Sequence, residues 1–74
     1  MNLKLTRNYL SDIEALGDHV GMKGRYEVRV GDIVVCRTND ENECEAAVRA
    51  LNMKHPRGPR AYFHRHTTTG RTRK

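Results

Sequence analysis

Apolar and polar positions alternate most cleanly over Arg25–Val30. Tyr26, Val28 and Val30 point one way and Glu27 and Arg29 the other, which predicts a central β-strand. Gly31-Asp32 follows at once, then Ile33-Val34-Val35-Cys36. A two-residue loop led by glycine suits a type II′ hairpin, because glycine reaches positive φ without a Cβ clash. In that register Val30 faces Ile33, Val28 faces Val35 and Tyr26 faces Arg37. One face of the hairpin is then apolar, and the other carries Glu27, Arg29, Val34 and Cys36.

The spacing changes after the hairpin. Cys44, Ala47, Val48 and Leu51 recur at helical intervals, which predicts a helix from Glu41 to about Met53. Asp40 with Glu43 three residues on reads as its capping pair, with Asn39 or Asn42 as competitors. Pro56, Gly58 and Pro59 then break the chain, and Arg60–Thr67 reads as a third strand. A right-handed return places that strand beside the first and antiparallel to it, in spatial order 2-1-3. The helix covers the side carrying Val28 and Val35. The expected class is α+β, a ββαβ unit packed on one helix.

The opening segment is less regular. Leu3 and Leu5 alternate as a short strand would, and Ser11 with Glu14 resembles a capping box. Ile13 and Leu16 with Tyr9 or Leu10 give a short helix near Ser11–Leu16, with Gly17 as its stop and residues 18–24 as a loop. Two arrangements follow. If Tyr9, Ile13 and Leu16 pack on Val34 and Cys36, the second sheet face is covered. If they join the main helix, Glu27, Arg29, Tyr62, His64 and His66 stay exposed, and the polarity of that face favours this open arrangement.

Seventy-four residues, 36% hydrophobic with one Phe and no Trp, allow one small domain with a thin core. A homodimer or a larger partner would help to hold it. Residues 1–67 read as one α+β domain and residues 68–74 as a flexible basic arm. Two cysteines are too few for a disulfide scaffold, and the register separates Cys36 on the open face from Cys44 on the core stripe. No run approaches membrane-spanning length, and Met1-Asn2-Leu3-Lys4 does not read as a signal peptide. A reduced cytoplasmic setting, in a bacterium or a phage-infected host cell, is the expectation.

The net charge of +5 is unevenly spread. Residues 38–52 sum to −3, whereas residues 53–74 sum to +7 with no acid at all. Arginine outnumbers lysine five to two in that last stretch, which favours forked contacts to phosphate over mere solubility. A solvated tail is the plainer alternative. Lys54, Arg57, Arg60, Arg65, Arg71, Arg73 and Lys74 would carry the binding, with Arg25 and Arg29 assisting. Tyr62, His64 and His66 share one strand face beside Arg29, where rings can stack on unpaired bases. An ordinary solvated face is the alternative there too.

Other chemistries fit less well. His64-x-His66 with Cys36 offers three metal ligands, but the first strand lies between them and the spacing matches no zinc motif. The acids Asp40, Glu41, Glu43 and Glu45 suit the first turn of a helix, although they could also dock a basic partner. No nucleophile triad, phosphate loop or isolated carboxylate pair stands out, so neither an enzyme nor a cofactor is expected.

Tyr26-x-Val28-x-Val30, Ile33-Val34-Val35 and Glu45-Ala46-Ala47-Val48 with a returning strand resemble small phage-encoded proteins. They look like some type I anti-CRISPR inhibitors and like the arm-site DNA-binding domains of phage integrases. The resemblance is architectural and covers roughly residues 25–67. It implies either DNA or RNA as the ligand, or docking on a host CRISPR-Cas or other nucleoprotein machine by protein contacts. The basic arm departs from inhibitors that mimic DNA with acidic surfaces.

Overall fold

The computed structural model describes residues 5–65, in the order α1 (Arg7–Val20), β1 (Tyr26–Val30), β2 (Ile33–Thr38), α2 (Glu41–Lys54) and β3 (Ala61–Arg65). The strands form one antiparallel sheet in spatial order β2-β1-β3, so the α+β class and the central place of Tyr26–Val30 stand as read from the sequence. Arg60 lies just outside β3, while His66, Thr67 and the arm at 68–74 fall outside the described residues, as does Leu3.

The first helix is longer than its pattern suggested. It begins at Thr6, whose Oγ1 accepts the Tyr9 N–H at 3.1 Å, and not at Ser11. It also runs through Gly17 into residues 18–20, which the sequence placed in a loop. Gly17 is a contact point and not a stop: a Cβ there would lie 3.0 Å from the Val35 carbonyl oxygen. Its missing side chain lets α1 sit close on β2. The stop comes at Gly21, which has φ 103° and donates its N–H to the Gly17 carbonyl at 2.9 Å.

The hairpin turns at Gly31, with φ 60°, and pairs Val30 with Ile33. Beyond that the register departs from the simple alternation. A bulge on β2 sets Val28 opposite Cys36, Glu27 opposite Arg37 and Tyr26 opposite Thr38. The unbulged register would have put Arg37 on the apolar face beside Tyr26 and turned Cys36 out. The extra residue instead lets Val35 and Cys36 both bury completely and swings Arg37 to the polar face. A guanidinium is thereby kept out of the core, where it would be costly.

Asp40 caps α2 as its position suggested, accepting from the Asn42 and Glu43 N–H groups at 2.9 and 3.3 Å. Cys44, Ala47 and Leu51 are buried and Val48 is half-buried. They join Tyr9, Ile13, Val28, Val30, Val35, Cys36 and Ala61 in one core, so both helices lie on the same side of the sheet. Tyr9 ties the layers together. Its ring stacks on His55 with centroids 4.2 Å apart, and its hydroxyl donates to the Pro59 carbonyl at 2.6 Å. His55 Nε2 meets Asp12 Oδ2 at 2.7 Å; that hydrogen bond, with Lys54 beside it, holds the Asp12 carboxyl below its ordinary range. Among the described residues no helix is long and apolar enough to cross a membrane.

Both thiols are therefore in the core, which corrects the placement of Cys36 on the open face; both are free. Burial pushes the Cys36 thiol up to about 11 and raises that of Cys44. Between the ordinary thiol value of 9.0 and about 11, the folded chain keeps a proton at Cys36 that the unfolded chain releases. Stability consequently falls as pH rises through that window, by about 2–3 kcal/mol from Cys36 alone. In urea melts between those pH values, Cys36→Ala flattens the alkaline loss, and an unchanged slope would contradict this origin.

Candidate nucleic-acid interface

The sheet face opposite the helices is organised by one carboxylate. Glu27 sits mid-sheet on β1, directly across from Arg37 on β2 and His64 on β3. Its Oε2 accepts from Arg37 Nε at 2.7 Å and lies 2.6 Å from Arg37 Nη2. Its Oε1 lies 3.0 Å from His64 Nε2 and 3.4 Å from Arg29 Nη1. Although no helix among the described residues covers this face, Glu27 is only 1% exposed, because two guanidinium groups and an imidazole lie over it. Such charge-assisted contacts fix the direction of long side chains that are otherwise loose.

The outer surfaces of these groups remain in water. Arg29 and Arg37 are about one-third exposed, and His64 somewhat more. Arg29 Nη2 also donates to the Asp32 carbonyl at 3.2 Å, whereas its Nε–H is buried with no acceptor among the described residues. Tyr62 stands directly across from Arg29 and is 46% exposed. Its ring lies 6.2 Å from that of His64, tilted by 32°. The result is a patch with an exposed aromatic ring beside two held guanidinium groups.

The other residues named from the sequence fall elsewhere. Arg25 is exposed just before β1, where its backbone N–H donates to Asn39 Oδ1 at 2.9 Å. Arg57 and Arg60 are exposed in the segment leading to β3. Lys54 and Arg57 border an open cleft of about 460 Å³ beside His55, and Lys54 also reaches Asp12 at 3.4 Å. Arg65 is exposed, but its register partner Tyr26 places it on the helix side, away from Tyr62. His66, Arg71, Arg73 and Lys74 lie outside the described residues. No ion pair among the described residues engages Arg57, Arg60 or Arg65.

Arg37 belongs to the patch and was missed, since plain alternation assigned it to the apolar face. The signal was present: an arginine on a core face costs enough that a bulge should be suspected before it. Cys36 lies on the opposite face from His64, and His66 falls outside the described residues. Among the described residues no three His, Cys, Asp or Glu side chains are grouped to hold a metal ion. Comparison with protein-family models, with curated proteins and with solved structures finds no match for this chain.

Proposed function

We propose that this protein is a non-catalytic module that binds nucleic acid, gripping phosphates with arginine and stacking an unpaired base on Tyr62. The observation that carries the reading is the sheet face that no described element covers, where Glu27 holds Arg29, Arg37 and His64 around an exposed aromatic ring. Arg29 is the least well satisfied of the three and the readiest to turn a donor to a phosphate oxygen. Arg57 and Arg60, exposed away from that face, and the basic residues beyond 65 in the sequence add to the positive charge that attracts a polyanion.

Fluorescence anisotropy with labelled oligonucleotides, repeated between about 50 and 200 mM salt, tests this. Affinity is expected to fall with a log–log slope of about −0.7 per phosphate contacted on single strands. Tyr62→Ala weakens single-strand binding by about tenfold, the loss of one stacked base, and leaves the salt slope unchanged. Salt-independent affinity would overturn the phosphate contacts. A protein partner that co-purifies in fixed ratio after nuclease treatment would point instead to docking on a nucleoprotein machine.

A further inference from the structure

The backbone of β3 shows which edge of the sheet is open. Asn52 on α2 holds both main-chain groups of Ala61: its Nδ2 donates to the Ala61 carbonyl at 3.1 Å and its Oδ1 accepts the Ala61 N–H at 2.8 Å. In an antiparallel pair, one residue's N–H and C=O point to the same side, and successive residues alternate. Ala61, Phe63 and Arg65 therefore turn their groups away from β1, while Tyr62 and His64 face their partners Arg29 and Glu27. Among the described residues nothing pairs with the outward groups of Phe63 and Arg65. The opposite edge differs, because the Arg37 N–H donates to the Gly21 carbonyl at 2.9 Å and Met22 bridges to the same residue.

A groove of about 490 Å³ runs beside the open edge, with Val48, Met53 and Phe63 as apolar lining and Glu45 and Arg49 at its border. Met53 is 75% exposed there. We infer that a second copy of this chain occupies this edge, β3 against β3 in antiparallel sense, joining two three-stranded sheets into one of six. The capped Ala61 rules out one register within β3. With Phe63 of one copy opposite Arg65 of the other, every outward N–H and C=O of those two residues finds a partner across a two-fold axis. A register centred on Phe63 would instead set Arg65 against Ala61, whose groups Asn52 already holds.

The side chains suit a second copy better than an unrelated strand. Phe63 and Arg65 both lie on the helix side of the sheet, opposite Val28 and Tyr26. In the chosen register the Arg65 guanidinium of the second copy stacks on the Phe63 ring and enters the groove that Glu45 borders. The contact is complementary to itself, as a two-fold interface requires. It also adds buried apolar area to a domain too short to have much of its own. The open faces of the two copies become continuous and double the Arg29, Tyr62 and His64 patch.

Sedimentation of the full chain without nucleic acid, over about a hundredfold range of concentration, tests this apart from the proposed function. The expected mass rises with concentration from 8.5 kDa to twice that value. Arg65→Pro removes an outward N–H that β1 does not use, so the fold is kept and dimer affinity drops by at least about tenfold. Arg65→Glu weakens the dimer through repulsion with Glu45 of the second copy, and adding Glu45→Lys to the same chain restores it. A wild-type chain that stays at 8.5 kDa throughout would overturn the interface. So would a folded Arg65→Pro chain, or an Arg65→Glu chain should the proline variant not fold, that associates as tightly as wild type.

Discussion

Replacing Glu27 with alanine is expected to cost about 2–3 kcal/mol of folding stability, read as a lower urea midpoint by circular dichroism. Breaking a buried ion pair from one side typically costs about 3–5 kcal/mol, since it strands the remaining charge. Arg29 and Arg37 are about one-third exposed, so water recovers part of that here. What remains is still large, because two guanidinium groups and an imidazole lose their shared acceptor at one point of the sheet. A domain of 74 residues holds roughly 4–11 kcal/mol in total. Glu27→Gln keeps the shape and one acceptor oxygen, and falls between alanine and wild type. A Glu27→Ala melt matching wild type would show that Arg29, Arg37 and His64 do not depend on this carboxylate.

A larger loss is expected from Gly24→Ala, on the order of 3 kcal/mol or more. The chain passes over the end of β2 at this point with φ 158°, and an added Cβ would lie 2.1–2.5 Å from the backbone carbon, Cα and oxygen of Thr38. Backbone on both sides leaves no flexible side chain to move aside. Gly31 is the informative comparison. It also has positive φ, 60°, but a Cβ there meets nothing within 4 Å. Gly31→Ala therefore costs only the left-handed backbone penalty, about 1–2 kcal/mol. Thermal melts of the two variants check the ordering, and equal losses would mean that Thr38 yields to the added methyl.

The elements that the sequence made legible are those whose signals are local. Tyr26–Val30 alternates without interruption, Gly31 marks the turn, and Asp40 with the stripe from Cys44 to Leu51 defines α2. Handedness then set the strand order, which the sheet follows. The features that were not legible depend on contacts distant in sequence. Gly17 looks like a helix stop until β2 is packed against it. Thr6 is a modest cap by itself, and α1 becomes worth extending because Tyr9 can reach His55 and Pro59 some fifty residues away. The bulge before Cys36 breaks alternation where Val35 and Cys36 both bury and Arg37 meets Glu27.

The candidate site divides along the same line. Strand parity was enough to bring Arg29, Tyr62 and His64 together, since each faces its partner across β1 and β3. Parity also separates Arg65 from them, and placing it with the other basic residues by charge alone hid that difference. The part played by Glu27 was invisible in composition. One acid among many cations counts as a small subtraction from net charge, whereas in the sheet it fixes where two arginines and a histidine stand.

Nuclear magnetic resonance of the nitrogen-15-labelled chain, titrated with a single-stranded oligonucleotide, addresses the cationic sheet face most directly. Shifts are expected at the amides of Arg29, Tyr62 and His64 and at the Arg29 and Arg37 side chains, while Leu10 and Glu14 on the outer side of α1 stay still. Changes confined to the helices, with the sheet signals unmoved at saturation, would contradict it.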